Sequence, residues 1–201
     1  AAGRIVNANT FGASAHKLAG SAYTLEQVIT AGIENCKRAC APYGALTALD
    51  VGPLGELLEP SGTLAFEDAV AEYARIVKAG EAAGADLIFF ETYTDLYELK
   101  AALLAARENT HLPILASMSF EAGGRTFTGC TVESFAATAR GLGADAVGIN
   151  CSLGPKEIFP MAKRLAEAVP GNFPVFVKPN AGLPRADGSG YDITPQLFVL
   201  E

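Results

Sequence analysis

Apolar residues follow two rhythms along the chain. Short apolar runs, such as Leu87-Ile88-Phe89-Phe90 and Val175-Phe176-Val177, each stop abruptly at polar residues. Between them, apolar positions recur at the three- and four-residue spacing of a helix with one buried face. The runs predict strands over 5–10, 45–50, 87–92, 113–120, 146–150 and 174–180. The spacing predicts helices over 25–41, 65–83, 96–109, 132–142 and 156–169, and residues 194–201 read as the first turns of another. In the first helix Val28, Ile29, Ile33, Cys36 and Cys40 share a face, and Thr24 suits its N-cap.

Strands that are apolar throughout are those covered on both faces, as in parallel sheets wrapped by helices. Gly84-Ala85-Asp86 before one strand is echoed by Gly143-Ala144-Asp145 before another, marking a repeated βα unit. Every strand leaves into polar residues: Asn9, Asp50, Glu91, Ser117, Asn150 with Cys151, and Lys178 with Asn180. One site assembled from many strand ends is the habit of a (β/α)8 barrel, so that fold is expected over a doubly wound sheet. A complete barrel takes about 250 residues. Residues 1–201 are therefore expected to form one barrel domain covering about six of the eight units, incomplete at both ends. Left open, two apolar edges would make this stretch unstable or self-associating by itself.

Composition narrows the field. The 201 residues are 50% hydrophobic and carry a net charge of −7, with no Lys/Arg cluster to follow a phosphate backbone. Nucleic acid and anionic membranes are poor partners for such a surface. No apolar run approaches the ~18 residues of a membrane span, and four cysteines without a CxxC pair point to a reduced, cytoplasmic setting. The chain opens almost inside a strand, so a preceding segment is expected.

Cys151 carries the sharpest chemistry. The run 146–150 ends in Asn150-Cys151-Ser152, and Gly154-Pro155 then turns the chain into a helix, which sets a thiol at a strand's C-terminal end. Taken alone, a strand cysteine is more readily a small packing hydrophobe, and Cys36 with Cys40, with no second pair nearby, is read that way. Glycines in the loop 121–131 lack the GxxxxGK[ST] and GxGxxG spacings and receive no phosphate role. Lys178 at a strand end leaves open a Schiff-base aldolase, and a non-catalytic barrel fragment is a third reading.

Several segments, taken in order, resemble one family. NTFGA (9–13), the Gly-Pro-Leu-Gly turn at 52–55, FETYTDLYELKAAL (90–103), SMSF (117–120), GINCSLGP (148–155) and KPNAGLP (178–184) are similar to the homocysteine S-methyltransferase barrels, in the form that serves as the N-terminal module of cobalamin-dependent methionine synthases. That resemblance implies zinc-dependent methyl transfer to the thiol of homocysteine, giving methionine. It implies Cys151 as one of three zinc thiolates, the other two belonging to a Gly-Gly-Cys-Cys-Gly segment that this sequence does not contain. It further implies Glu91 as receptor of the substrate ammonium, Asn150 and Ser117 as substrate-pocket residues, and Asn180 as an occupant of the open zinc position. Zinc would make the bound sulfur a thiolate at neutral pH, where a free thiol is mostly protonated. The donor would be methylcobalamin on another module, recharged from 5-methyltetrahydrofolate, so cobalamin- and folate-binding modules are the implied partners.

Overall fold

The computed structural model describes residues 4–182, 184–191 and 193–200. Leu183 of the segment 178–184 and Glu201 of the final helix lie outside the described residues. Strands and helices alternate as β1 (Ile5–Asn7), α1 (Leu25–Cys40), β2 (Leu46–Val51), α2 (Phe66–Ala82), β3 (Leu87–Tyr93), α3 (Leu96–Asn109), β4 (Ile114–Met118), α4 (Val132–Gly141), β5 (Ala146–Asn150), α5 (Pro155–Glu167), β6 (Val175–Lys178) and a short α6 (Pro195–Leu200). All neighbours pair in parallel, and the spatial order is the chain order β1 to β6. A doubly wound sheet would reverse direction at a switch point. Strict sequential order is that of a barrel, and these strands make six of its eight βα units.

Helices α1, α3 and α4 begin at side-chain caps. Thr24 Oγ1 accepts from Gln27 N at 3.2 Å while Gln27 Oε1 accepts from Thr24 N at 2.9 Å, a reciprocal capping box that starts α1. Asp95 caps α3 through Tyr97 N, and Thr131 caps α4 through Ser134 N. The repeated Gly-Ala-Asp segments also acquire a cause. Gly84 and Gly143 adopt φ of 87° and 86°, the left-handed stop that follows a helix. The aspartates then tie each new strand to its neighbour: Asp86 Oδ2 accepts from Thr47 N at 2.7 Å, and Asp145 Oδ2 from Ile114 N at 2.9 Å.

Alternation along each strand divides the apolar residues between two layers. Leu49, Ile88, Phe90, Val147 and Ile149 face the helices, where they pack with Ile29, Ile33, Ile76, Leu99 and Leu103. Ala48, Leu87 and Phe89 point the other way, with Leu115 and Phe176, into the barrel's interior. Phe176 meets Phe89 edge to face at 5.3 Å. Its ring fits because its register partner on β5 is Gly148, where a Cβ would stand 2.3 Å from it. The strand bodies thus fill the interior below and leave its upper layer to the polar exits.

β1 is shorter than the apolar pattern suggests. Thr10 N turns back to Ala8 O at 2.8 Å, and Thr10 Oγ1 donates to Asp50 O at 2.8 Å while accepting from Asp50 N at 3.1 Å. Residues 8–10 therefore clamp the end of β2 instead of extending the sheet. No helix among the described residues is long and apolar enough to cross a membrane.

Candidate active site

Register sets the polar exits side by side. Ser117 on β4 pairs with Gly148 on β5, and Asn150 at the end of β5 pairs with Lys178 at the end of β6. Immediately beyond, Cys151 N donates to Lys178 O at 3.1 Å and Asn180 N to Leu153 O at 3.0 Å. Cys151, half-buried, and the backbone of Asn180 thus belong to one turn-rich corner.

Asn150 organises that corner. Its side-chain oxygen accepts from Ser117 Oγ at 2.8 Å and Thr92 N at 3.1 Å; its amide donates to Thr92 Oγ1 at 2.7 Å and Cys151 Sγ at 3.3 Å. Ser119 Oγ adds a bond to Asn150 O at 2.8 Å. Asn150 and Ser117 are 1% and 0% exposed. Asn150 thus holds the thiol and Thr92 from beneath, and Ser117 in turn holds Asn150.

Backbone geometry marks the same spot. Thr92, Cys151 and Ser152 have φ of 65°, 59° and 61°, a left-handed conformation that side chains with a Cβ rarely adopt. All three lie at the exits of β3 and β5, where Asn150 grips both Thr92 and Cys151. Non-glycine residues held in this region concentrate at sites where the surrounding structure fixes a functional geometry.

The carboxylates lie across the opening. Glu91 Oε2 accepts from Lys178 Nζ at 2.5 Å, and that ammonium also stands 4.7 Å above the ring of Phe89. The ion pair engages the Lys178 side chain with the carboxylate of the neighbouring strand exit. Asp50, at the end of β2, is buried; Asn7 Nδ2 donates to its Oδ2 at 3.1 Å. Burial first, and the Glu91 charge second, push Asp50 up to about 7. Below these groups an open cavity of ≈ 510 Å³ is lined by Ile5, Asn7, Phe89, Leu115, Phe176 and Lys178 among others. The larger groove, ≈ 680 Å³, runs between β1 and α1 and includes none of Glu91, Ser117, Asn150, Cys151 or Lys178.

A resident metal is only partly provided for. Cys151 is a free thiol, and no group of three or more His, Cys, Asp or Glu that could hold a metal ion occurs among the described residues. A catalytic zinc takes three protein ligands, so these residues do not by themselves fit one. Cys36 and Cys40 are buried together with their sulfurs 3.8 Å apart, and they serve the α1 core. The family resemblance singled out Glu91, Ser117, Asn150, Cys151 and Asn180. Neither it nor the apolar pattern singled out Thr92, nor Asp50 and Lys178 as partners of Glu91; Asp50 showed only as a polar strand exit, and Lys178 as that and as a Schiff-base candidate.

A sequential parallel barrel with a thiol, a carboxylate and an ammonium at its strand ends defines a barrel enzyme of the kind that builds its site on the C-terminal face. Residues 1–200 match the profile of homocysteine S-methyltransferases, and the chain belongs to that family. Over 119 residues, 56% of the chain, it is 36% identical to the methionine synthase of Mycobacterium tuberculosis and 35% identical to that of Mycobacterium leprae. The match covers 10% of each of those proteins, so the chain spans a small part of the curated relatives' length. In three dimensions it is similar to the homocysteine methyltransferase MmuM of Escherichia coli. The metallated form superposes with a TM-score of 0.77 at 21% identity over 98% of this chain and 71% of that one. The oxidised form also gives 0.77, at 20% identity over 88% and 66%. These structural likenesses concern the fold.

Proposed function

We propose that these residues bind homocysteine and position its thiol for methyl transfer, giving methionine, within a longer protein of the methionine synthase type. The observation that carries this is the corner around Cys151: a strand-end thiol fixed by Asn150, beside left-handed Thr92, in the same opening as the carboxylate of Glu91. Glu91 receives the substrate's ammonium, exchanging Lys178 for it through charge-assisted hydrogen bonds. Asn150 and Ser117 act from below as positioning residues. In the transfer, a sulfur lone pair forms the new S–CH₃ bond as the donor–methyl bond breaks, the electron pair of that bond stays with the donor, and the thiol proton goes to solvent. Methylcobalamin on another module, recharged from 5-methyltetrahydrofolate, would supply the methyl group.

A zinc ion would make the substrate thiol a thiolate while leaving it lone pairs. Cys151 is the single thiolate these residues offer toward it, with Asn180 nearby, so a zinc centre would need further donors from beyond them. Residues 1–201 by themselves should be inactive. Free cysteines suit a reducing, cytoplasmic setting.

The test is Cys151→Ala in the full-length protein. Methionine formation from homocysteine should fall to background while the circular dichroism spectrum is retained. Wild-type turnover in that variant would overturn the assignment.

A further inference from the structure

Thr92, one residue before the end of β3, keeps a backbone conformation that its side chain opposes. Its φ is 65°, and in the left-handed region a β-branched residue is a genuine outlier. Such a residue stays there only where its surroundings over-determine it. Here the cause is on β5: Thr92 N donates to Asn150 Oδ1 at 3.1 Å. That bond is made by the backbone, so any residue with an N–H at position 92 can make it. The tie between the two strand exits does not need a threonine, and a glycine would hold the same turn without strain.

What the threonine adds is a hydroxyl. Thr92 Oγ1 accepts from Asn150 Nδ2 at 2.7 Å and stands 3.8 Å from Cys151 Sγ. A hydroxyl carries one proton, and with a lone pair given to the Asn150 amide that proton is free to turn to the sulfur. The same amide also reaches Cys151 Sγ, at 3.3 Å. The sulfur thus has two donors beside it, while its own backbone is fixed by the bond from Cys151 N to Lys178 O at 3.1 Å. Two donors in fixed places define an orientation that one alone leaves looser.

We propose that Thr92 is a positioning residue for the reaction: carried in a left-handed conformation, its hydroxyl holds the Cys151 sulfur in the orientation that methyl transfer uses. The inference deepens the reading of the corner around Cys151 and rests on it. A misaimed sulfur slows the step without loosening the substrate, whose amino-acid end is held at Glu91 on that reading. The strain at Thr92 is then what placing the hydroxyl costs.

The experiment is steady-state methyl transfer to L-homocysteine by the full-length protein, with methylcobalamin supplied, in Thr92→Ser, Thr92→Val and Thr92→Gly. Serine keeps the hydroxyl, valine keeps the shape without it, and glycine removes both the hydroxyl and the strain. The valine variant should lose kcat about 10- to 100-fold while its KM for homocysteine stays within about twofold of wild type, and the serine variant should stay within about threefold in kcat. The glycine variant should be as slow as the valine variant yet melt at a higher temperature, because it adopts the left-handed turn freely. Wild-type kcat in the valine or glycine variant, a serine variant as slow as valine, a loss that falls on KM, or losses of kcat that track the melting midpoints each overturn the role of Thr92 and leave Cys151 in its own. Wild-type turnover in Cys151→Ala overturns the reading of the corner and this inference with it. Should the valine variant not fold, glycine against serine decides.

Discussion

Replacing Asn150 with Ala should show how much of the barrel's stability runs through one buried amide. The side chain makes four bonds, to Ser117 Oγ, Thr92 N, Thr92 Oγ1 and Cys151 Sγ, at 1% exposure. Truncation leaves the Ser117 hydroxyl and the Thr92 N–H without their acceptor, at about 1–3 kcal/mol each when buried. A water entering the vacated space would recover part of this, so the expected cost is about 3 kcal/mol. At about 2–4 °C per kcal/mol for a chain of this size, the midpoint should fall by about 6–12 °C. Ser117→Ala removes one donor and leaves Asn150 still holding Thr92, so about 1 kcal/mol is expected. Once Asn150 is gone, Ser117→Ala should cost almost nothing further, giving a coupling of about 1 kcal/mol in a double-mutant cycle. Guanidinium unfolding of the two single variants and the double measures all three. An Asn150→Ala variant within about 0.5 kcal/mol of wild type, or costing less than Ser117→Ala, would refute the organising role.

Other consequences are open to measurement. On the proposed reading, Glu91→Gln in the full-length protein should raise the KM for homocysteine far more than it lowers metal content, because it removes the proposed partner of the ammonium and no proposed metal ligand; parallel losses would contradict this. Asp50 is raised in the fold from an ordinary 3.8 to about 7, so the folded chain holds its proton more tightly than the unfolded one. Its contribution to stability is full below about pH 4 and lost as pH rises to about 7, and Asp50→Asn should flatten that decline in guanidinium melts; an unchanged slope would sink the argument. Gly148→Ala places a Cβ 2.3 Å from the Phe176 ring and should destabilise by about 1–3 kcal/mol, whereas a neutral melt would show that the ring moves freely.

What the sequence by itself determined was local. Apolar runs against helical spacing, caps such as Thr24 and the paired Gly-Ala-Asp segments depend on residues a few positions apart, and all reappear in β1 to β6 and their helices. The polar strand exits, Cys151 and Glu91 among them, were visible for the same reason: they interrupt an apolar pattern. Which exits meet was decided only by the curl and register of the sheet. Lys178 reaches Glu91 across 87 positions, and Asn150 reaches Thr92 across 58. Neither separation leaves a trace in periodicity, because parallel strands joined by helices bring together residues whose neighbourhood is set by strand pairing and barrel curvature. The left-handed turn at Cys151 likewise carries no glycine to announce it; the amide of Asn150 and the β6 backbone hold it. Asp50 shows the limit most plainly. Its identity was legible as one more polar exit, but its burial beside Glu91, which makes the carboxyl protonatable near neutrality, exists only once β2 and β3 stand side by side in the curved sheet.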